Sequence, residues 1–291
     1  MKVICFDIGG TAIKSMIIED GKERVLDEIP SRAKEGAIYL KEDIFQRIKE
    51  VLESEDDLDG VAISTAGMVD YRTGVISYAN ENIKNYIGFD WIKEVKDEFD
   101  LPCVVENDVK SAGLGEANFG AGKDYSSMFC LTVGTGIGGC VIIDNKIYRG
   151  ASGNAGEIGY LPFEDSTIEE KSSTSAILRL AQEKYPEKSF TDGKKLFEAF
   201  DKDNKEALDL VDTLTTNLSK LLASLMLILS PQAIIIGGGI SKQEDKLLDP
   251  IREKVKNLVP ENIYKATKIT NTDLGNKSGC YGVYQLFTEK F

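Results

Sequence analysis

Histidine is absent from this 291-residue chain. Its absence removes Ser-His-Asp and Cys-His mechanisms, so a general base must be a carboxylate, Lys, Tyr or Cys. Cysteine is sparse. Cys5, Cys103, Cys130, Cys140 and Cys280 are scattered, odd in number and form no C-x-C or C-x-x-C pair. A structural zinc site would need four thiolates from distant strands, so buried thiols are expected instead. Positive charge is in deficit: 35 Lys and Arg stand against 48 Asp and Glu, a net charge of −13. That argues against nucleic-acid backbones and anionic membranes as partners, while leaving room for a local nucleotide pocket. Long apolar runs are missing too. The longest, residues 221–229, is broken by Ser224 and is too short to span a bilayer. The N-terminal Lys2-Val3-Ile4-Cys5-Phe6 has no signal-peptide pattern, and a cytoplasmic protein is expected.

What is present is glycine in clusters, each at the end of an apolar run. Residues 2–8 form a strand ending in Asp7-Ile8, then Gly9-Gly10-Thr11, then a second apolar run from Ala12 to Ile18. This reads as a hairpin whose glycines admit a phosphate, with Thr11 and Lys14 as donors and Asp7 able to hold Mg²⁺ through water. A plain hairpin turn fits the same residues. Val25 to Pro30 reads as a third strand. A helix follows with apolar residues Ile38, Leu40, Ile44, Ile48, Val51 and Leu52. The strand from Gly60 to Ser64 exits through Thr65-Ala66-Gly67, where Gly67 suits either a ligand or a turn. Residues 77–90 form an amide-rich polar loop.

The stretch Val105-Glu106-Asn107-Asp108-Val109-Lys110 is a strand-to-helix junction. In open α/β sheets ligands bind at such carboxyl ends of strands. Asn107 or Asp108 could equally cap the following helix, read as 109–119. A second glycine hairpin, Gly134-Thr135-Gly136-Ile137-Gly138-Gly139, joins the strands 128–133 and 140–143. Its flanks are strands, so neither a Rossmann fingerprint nor a Walker loop applies. Two Gly-Thr hairpins suggest two related halves gripping one polyphosphate. Glu157 stands inside a third glycine-rich segment, 149–160. Helices are expected at 173–185, 192–201 and 204–229, the last built on Leu208, Val211, Leu214, Leu218, Leu221, Leu222, Leu225 and Leu229 with Leu210 outside the series. The strand 233–236 ends in Gly237-Gly238-Gly239, followed by a helix over 242–258 whose N-terminus could meet a nucleotide. A final helix runs over 279–287.

Together these segments resemble the ROK family (repressors, uncharacterised frames and sugar kinases). The resemblance rests on Asp7-Ile8-Gly9-Gly10-Thr11, Glu106-Asn107-Asp108, residues 131–139, Gly153-Asn154-Ala155-Gly156-Glu157-Ile158-Gly159 and Ile236-Gly237-Gly238-Gly239, in family order over almost the whole chain. It implies an α/β fold of two ribonuclease-H-like, actin/hexokinase-type domains with an intervening cleft. The domains would be 1–117, joined by the C-terminal helix 279–291, and 118–278. The implied activity is ATP-dependent, Mg²⁺-assisted transfer to the primary hydroxyl of a sugar, in a protein that often forms a homodimer.

The resemblance assigns residue roles as well. The phosphates would lie against Gly9, Gly10, Thr11, Gly134, Thr135 and Gly136, and the adenosine against Gly237, Gly238 and Gly239. The sugar would be held by Asn82, Asn107, Asp108 and Glu157, with Asp108 as base. Two departures stand out. Tyr160 replaces the zinc-ligating His of many members, and their C-x-C-G-x-x-G-C run is missing, so zinc is not expected. Tyr160 either stacks on a sugar face or fills the space of the imidazole. Glu169, or else Glu170, is nearest to a second sugar-binding Glu of the family. The Glu-x-Gly-Tyr form resembles β-glucoside kinases, with glucokinases and N-acetylmannosamine kinases as rivals. Family repressors carry an added helix-turn-helix, whereas here the first glycine hairpin starts at residue 7, so a kinase is expected. A non-catalytic sugar-binding regulator is the remaining alternative, and Asp7, Asp108 and both hairpins argue against it.

Overall fold

The computed structural model describes residues 1–54, 57–79, 83–188, 190–243 and 245–291. They form two compact units. One comprises Met1–Gly120, Arg149–Ala155 and Asn276–Phe291, and the other Ala121–Tyr148 and Gly156–Gly275.

The first unit opens with β1 (Lys2–Ile8), β2 (Ala12–Glu19), β3 (Lys22–Val25) and β4 (Ile29–Pro30), then α1 (Ala37–Ser54) and β5 (Gly60–Thr65). A small hairpin, β6 (Met68–Asp70) and β7 (Val75–Tyr78), precedes α2 (Trp91–Phe99), β8 (Cys103–Asn107) and α3 (Asp108–Phe119). The sheet order is β3-β2-β1-β5-β8, with β4 also on β2. β1, β5 and β8 are parallel neighbours, so their carboxyl ends lie side by side.

Alternation along each strand sends side chains to both faces. Ile4, Phe6, Ile8, Val61, Ile63, Cys103 and Val105 share one core with Leu40, Ile44, Ile48 and Val51 of α1. Val3, Cys5, Ala62 and Val104 face the other way. Helix α1 keeps the expected stripe except at its ends, where Ile38 and Leu52 are exposed; Ala37 and the mid-helix Phe45 are buried as well.

The strand expected over 25–30 is two pieces, and pairing starts earlier, at Lys22. Glu19 pairs with Lys22, and both intervening residues have positive φ, Asp20 at 49° and Gly21 at 79°. That is the two-residue Asp-Gly hairpin turn, whose twist matches that of the strands it joins.

The second unit has β9 (Ser127–Val133), β10 (Ile137–Ile143) and β11 (Lys146–Ile147), then the small pair β12 (Pro162–Phe163) and β13 (Ser166–Thr167). Helices α4 (Ile168–Ser172), α5 (Thr174–Lys184), α6 (Gly193–Phe200) and α7 (Lys205–Leu229) follow. β14 (Ala233–Gly237), α8 (Asp245–Lys256), α9 (Glu261–Ala266) and β15 (Lys268–Asn271) complete it. Its sheet order is β11-β10-β9-β14-β15. Helix α7 buries Ala207, Leu210, Val211, Leu214, Leu218, Leu221, Leu222 and Leu225. Leu210 is therefore in the core, and Leu208, expected there, is exposed. Leu210 stands three residues after Ala207 and four before Leu214, so helical spacing itself places it on the stripe and leaves Leu208 on the flank. A 3₁₀ turn, Gly239–Gln243, starts at the last of the three glycines and precedes α8, so the helix does not begin at residue 242 as expected.

The last helix, α10 (Ser278–Lys290), belongs to the first unit. It covers the sheet face opposite α1 with Cys280, Val283, Tyr284 and Phe287. All five cysteines are buried, and burial pushes the Cys5, Cys103 and Cys280 thiols well up. They are inert packing groups. No helix among the described residues is long and apolar enough to cross a membrane.

Candidate active site

In the first unit, three loops leave the carboxyl ends of the parallel strands β1, β5 and β8. The β1 loop carries Asp7 and the glycine hairpin. Asp7 accepts a hydrogen bond from Ser64 Oγ at 2.8 Å. Burial pushes its carboxyl up, partly offset by that bond and by the charge of Lys14. The hairpin closes by Gly9 N–H donating to the Ala12 carbonyl at 3.0 Å. Its tip, Gly9, Gly10 and Thr11, is exposed, and a Cβ at Gly10 would meet nothing within 4 Å. The tip is thus an open backbone surface of the kind an oxyanion can approach.

The β5 loop carries Gly67, held at φ +100° with a would-be Cβ 2.8 Å from the Tyr78 carbonyl oxygen. Conformation and space both require glycine there. The β8 loop carries Asn107 and Asp108. Asn107 caps α3, as one of the two readings had it: its Oδ1 accepts from Val109 N–H at 3.0 Å and Lys110 N–H at 3.1 Å. Its Nδ2 donates to the Gly67 carbonyl at 2.9 Å and to Asp108 Oδ1 at 2.9 Å. Val109 N–H donates to the same Oδ1 of Asp108 at 2.8 Å. Capping and presentation of a carboxylate are thus one arrangement. Asn107 spends its amide on orienting Asp108, which is half-buried at the start of α3.

In the second unit the glycine hairpin joins β9 to β10, with Val133 opposite Ile137. Gly134 N–H donates to the Gly136 carbonyl at 2.9 Å, and the Gly134 carbonyl accepts from Thr174 N–H at 2.8 Å. Glu169, expected at the sugar, has its Oε2 accepting from Ile137 N–H at 2.8 Å. A Cβ at Gly136 would fall 2.5 Å from that oxygen. The carboxylate therefore braces the hairpin from behind. Glu170 turns outward to Ser166 and Thr167, bonds led by the one from Ser166 that hold its carboxyl below the usual range.

β14 runs parallel to β9, with Gly237 opposite Thr132. The three glycines that end and follow β14 thus lie beside the hairpin. Gly238 has φ +88°, and a Cβ there would reach within 2.7 Å of the Val133 carbonyl carbon. Glu157 is half-buried between Gly156, at φ +97°, and a 3₁₀ turn over Ile158–Tyr160. Tyr160 is 60% exposed. Asn82, expected at the sugar, lies outside the described residues. Among the described residues, no group of three or more Cys, Asp or Glu is placed to hold a metal ion.

Several residues gain roles that local pattern did not give them. Ser64 is the partner of Asp7. Gly279 opens α10 against both, since a Cβ there would lie 2.9 Å from Asp7 Oδ1 and 3.0 Å from Ser64 Oγ. Glu106 and Lys110 flank the Asn-Asp pair and are each 1% exposed. The one sequence signal for them was charge at apolar positions of a buried strand and helix.

Comparison with known proteins adds to this geometry. A family model described as "ROK family" matches residues 3–290. A glucokinase of Halalkalibacterium halodurans is 30% identical over 95% of this chain and 92% of its own length. A β-glucoside kinase of Listeria innocua is 31% identical over 84% of each chain. Among solved structures, a ROK family glucokinase from Streptomyces griseus, in complex with glucose and AMPPNP, superposes with a TM-score of 0.84. It is 28% identical, over 98% of this chain and 99% of that one. The pair of α/β units is therefore of the actin/hexokinase type.

Proposed function

The chain belongs to the ROK family, and from that premise we propose that it is an ATP-dependent sugar kinase. It transfers the γ-phosphoryl group to the primary hydroxyl of a glucose-type hexose or β-glucoside. The observation that carries this reading is the Asn107–Asp108 arrangement. A carboxylate is presented at the end of β8 with one oxygen fixed by the Asn107 amide and the Val109 N–H.

Phosphoryl transfer passes through a loose transition state, so positioning and charge stabilisation dominate. A carboxylate within hydrogen-bond reach suffices to take the hydroxyl proton. Asp108 has that role. Thr11 with the amides of Gly9 and Gly10, and Thr135 with those of Gly134 and Gly136, are the phosphate contacts. Gly237, Gly238 and Gly239 give a side-chain-free surface for the adenosine. Gly67, Asn107, Glu157 and Tyr160 serve the sugar, and the exposed Tyr160 ring suits the face of a glucoside. Glu169, engaged with Ile137 N–H, we assign to the phosphate hairpin. The relatives named glucokinase and β-glucoside kinase support the substrate class.

Mg²⁺ fits the donor set at Asp7, a half-buried carboxylate at a strand end whose charged form is disfavoured by partial desolvation. There it would be held through water and would neutralise phosphate charge. The same carboxylate makes stability depend on pH. Its folded-state pKa is raised, so its cost to stability is absent at low pH and appears as pH rises through that pKa. Asp7→Asn keeps an acceptor for the Ser64 hydroxyl and removes the partly desolvated charge. Without Mg²⁺, the variant is expected to melt above wild type at pH 8, with the gap closing toward pH 4. Its kcat should fall ~10–100-fold for loss of the metal anchor. Thermal unfolding at both pH values with steady-state kinetics checks this. A variant that melts below wild type at pH 8, or that turns over normally, refutes it.

The substrate is tested by coupled ADP release over glucose, mannose, N-acetylmannosamine, cellobiose and aryl β-glucosides. Turnover with glucose or the β-glucosides at kcat/KM at least ~10-fold above N-acetylmannosamine is expected, a ratio that pocket contacts of ~1–3 kcal/mol can give. The reverse order overturns the substrate assignment. No ADP release with any sugar overturns the kinase itself.

A further inference from the structure

Seven residues, Arg149–Ala155, leave the second unit and pack within the first. This strap is closed on itself by Ala155 N–H donating to the Arg149 carbonyl at 3.1 Å. Its conformation uses two left-handed glycines, Gly150 at φ +65° and Gly153 at φ +84°. Two charged side chains dock it on the β8–α3 junction. The Arg149 guanidinium pairs with Glu106 Oε2 and lies over the Tyr71 ring, 4.4 Å from its centroid. In the opposite direction Lys110, from α3, donates Nζ to the Gly153 carbonyl at 2.8 Å.

Glu106 is a carboxylate almost without solvent, one residue before Asn107. Its other oxygen, Oε1, accepts from the Asn107 backbone N–H at 2.8 Å. A buried ion pair gives little stability compared with apolar residues of the same volume, because desolvation offsets the attraction. What it does give is a fixed geometry. Here the fixed object is the peptide that carries the oriented Asn107 amide and, through it, the Asp108 carboxylate.

We propose that Arg149 is a positioning residue for phosphoryl transfer, acting through Glu106 and the Asn107 peptide to hold Asp108. This rests on the reading of Asp108 as base. The chain of contacts is Tyr71 ring, Arg149 guanidinium, Glu106 carboxylate, Asn107 N–H, Asn107 amide, Asp108 Oδ1. Each link between residues is a stacked or hydrogen-bonded contact within one unit, so the chain does not depend on a bound nucleotide.

The test uses Arg149→Met, Arg149→Lys and the double variant Glu106→Gln/Arg149→Met, each assayed well below its melting temperature. Arg149→Met is expected to lower kcat ~10–100-fold, the scale of a small misplacement of a reacting group, with KM for ATP unchanged. Arg149→Lys keeps the charge, loses the planar stack and should fall between. In the double variant no buried charge is left unpaired, so its melting temperature should recover while kcat stays low. Amide exchange of unliganded protein should speed up at Asn107 and Asp108 in all three. Should Arg149→Met fail to fold, the lysine and double variants carry the same comparison.

A kcat within about threefold of wild type in folded Arg149→Met, below what even a modest misplacement costs, overturns the proposal. So does a double variant that regains kcat together with stability, because then only the unpaired charge mattered. A wild-type enzyme inactive on every sugar would sink the kinase reading instead, and amide exchange would still decide whether Arg149 holds the junction.

Discussion

Asp108→Asn is expected to lower kcat by ~10²–10⁴-fold, the usual range for loss of a general base, while leaving sugar affinity within a few fold. The substitution keeps size and shape. Its Oδ1 can still accept from the Asn107 amide and the Val109 N–H, the two donors that fix the native carboxylate. What is lost is the ability to take a proton. An effect on kcat without one on binding separates a chemical role from a capping role, because Asn107 still supplies its acceptor to Val109 and Lys110 and the variant's amide oxygen at position 108 still accepts from Val109. Stopped reaction at saturating ATP and sugar, with sugar affinity from calorimetry, gives both numbers. Near-normal turnover would rule Asp108 out as the base, and loss of sugar binding with folding intact would make it a substrate anchor.

Gly282→Ala should be the most damaging single methyl group in the first unit. Helices α3 and α10 approach so closely that a Cβ at Gly282 would fall on the Ser111 carbonyl, and one at Gly115 on the Ser278 carbonyl. Two effects compete. Alanine is preferred to glycine inside a helix by ~1 kcal/mol. Overpacking against a site that cannot yield costs ~1–3 kcal/mol or more. The obstacle here is backbone, which has no rotamer to change, so strain should win. A net loss of ~2 kcal/mol corresponds to ~4–8 °C in melting temperature for a domain of this size.

Activity should fall with it, for a geometric reason. Helix α3 begins at Asp108 and α10 begins beside Asp7 and Ser64. Forcing the helices apart therefore displaces both carboxylates. Gly10→Ala is the control. It adds a methyl group to open space at ordinary φ and should change stability by less than ~0.5 kcal/mol. A Gly282→Ala melting temperature equal to wild type would show that the two helices can separate freely.

The local elements were legible because each carries its own signal. Period-two and 3.6-residue apolar patterns place strands and helices, and glycines mark the turns between them. Asp20-Gly21 was such a signal too, and weighing the apolar residues after it above the turn itself set the third strand too late. Leu208 and Leu210 show periodicity misapplied. Steps of four and three back from Leu214 reach Leu210 and Ala207, so the stripe of α7 was legible in the spacing and Leu208 lies off it. Glu169 shows the limit of analogy. Its place near the family position says nothing of the Ile137 amide it accepts from, 32 residues away.

Sequence alone determined the α/β class, the order of five glycine- and carboxylate-bearing segments and hence the family. It also identified Asp108 as the residue at the junction. These are statements about neighbours along the chain. The tertiary structure decided everything that joins distant residues: Ser64 to Asp7 across 57 positions, Glu106 to Arg149 across 43, and the glycine contact of α3 with α10. The physical reason is that desolvated charges and close backbone approaches are settled by which surfaces meet in three dimensions. A local pattern records that a carboxylate lies in an apolar strand, and only the fold supplies the guanidinium that makes its burial possible.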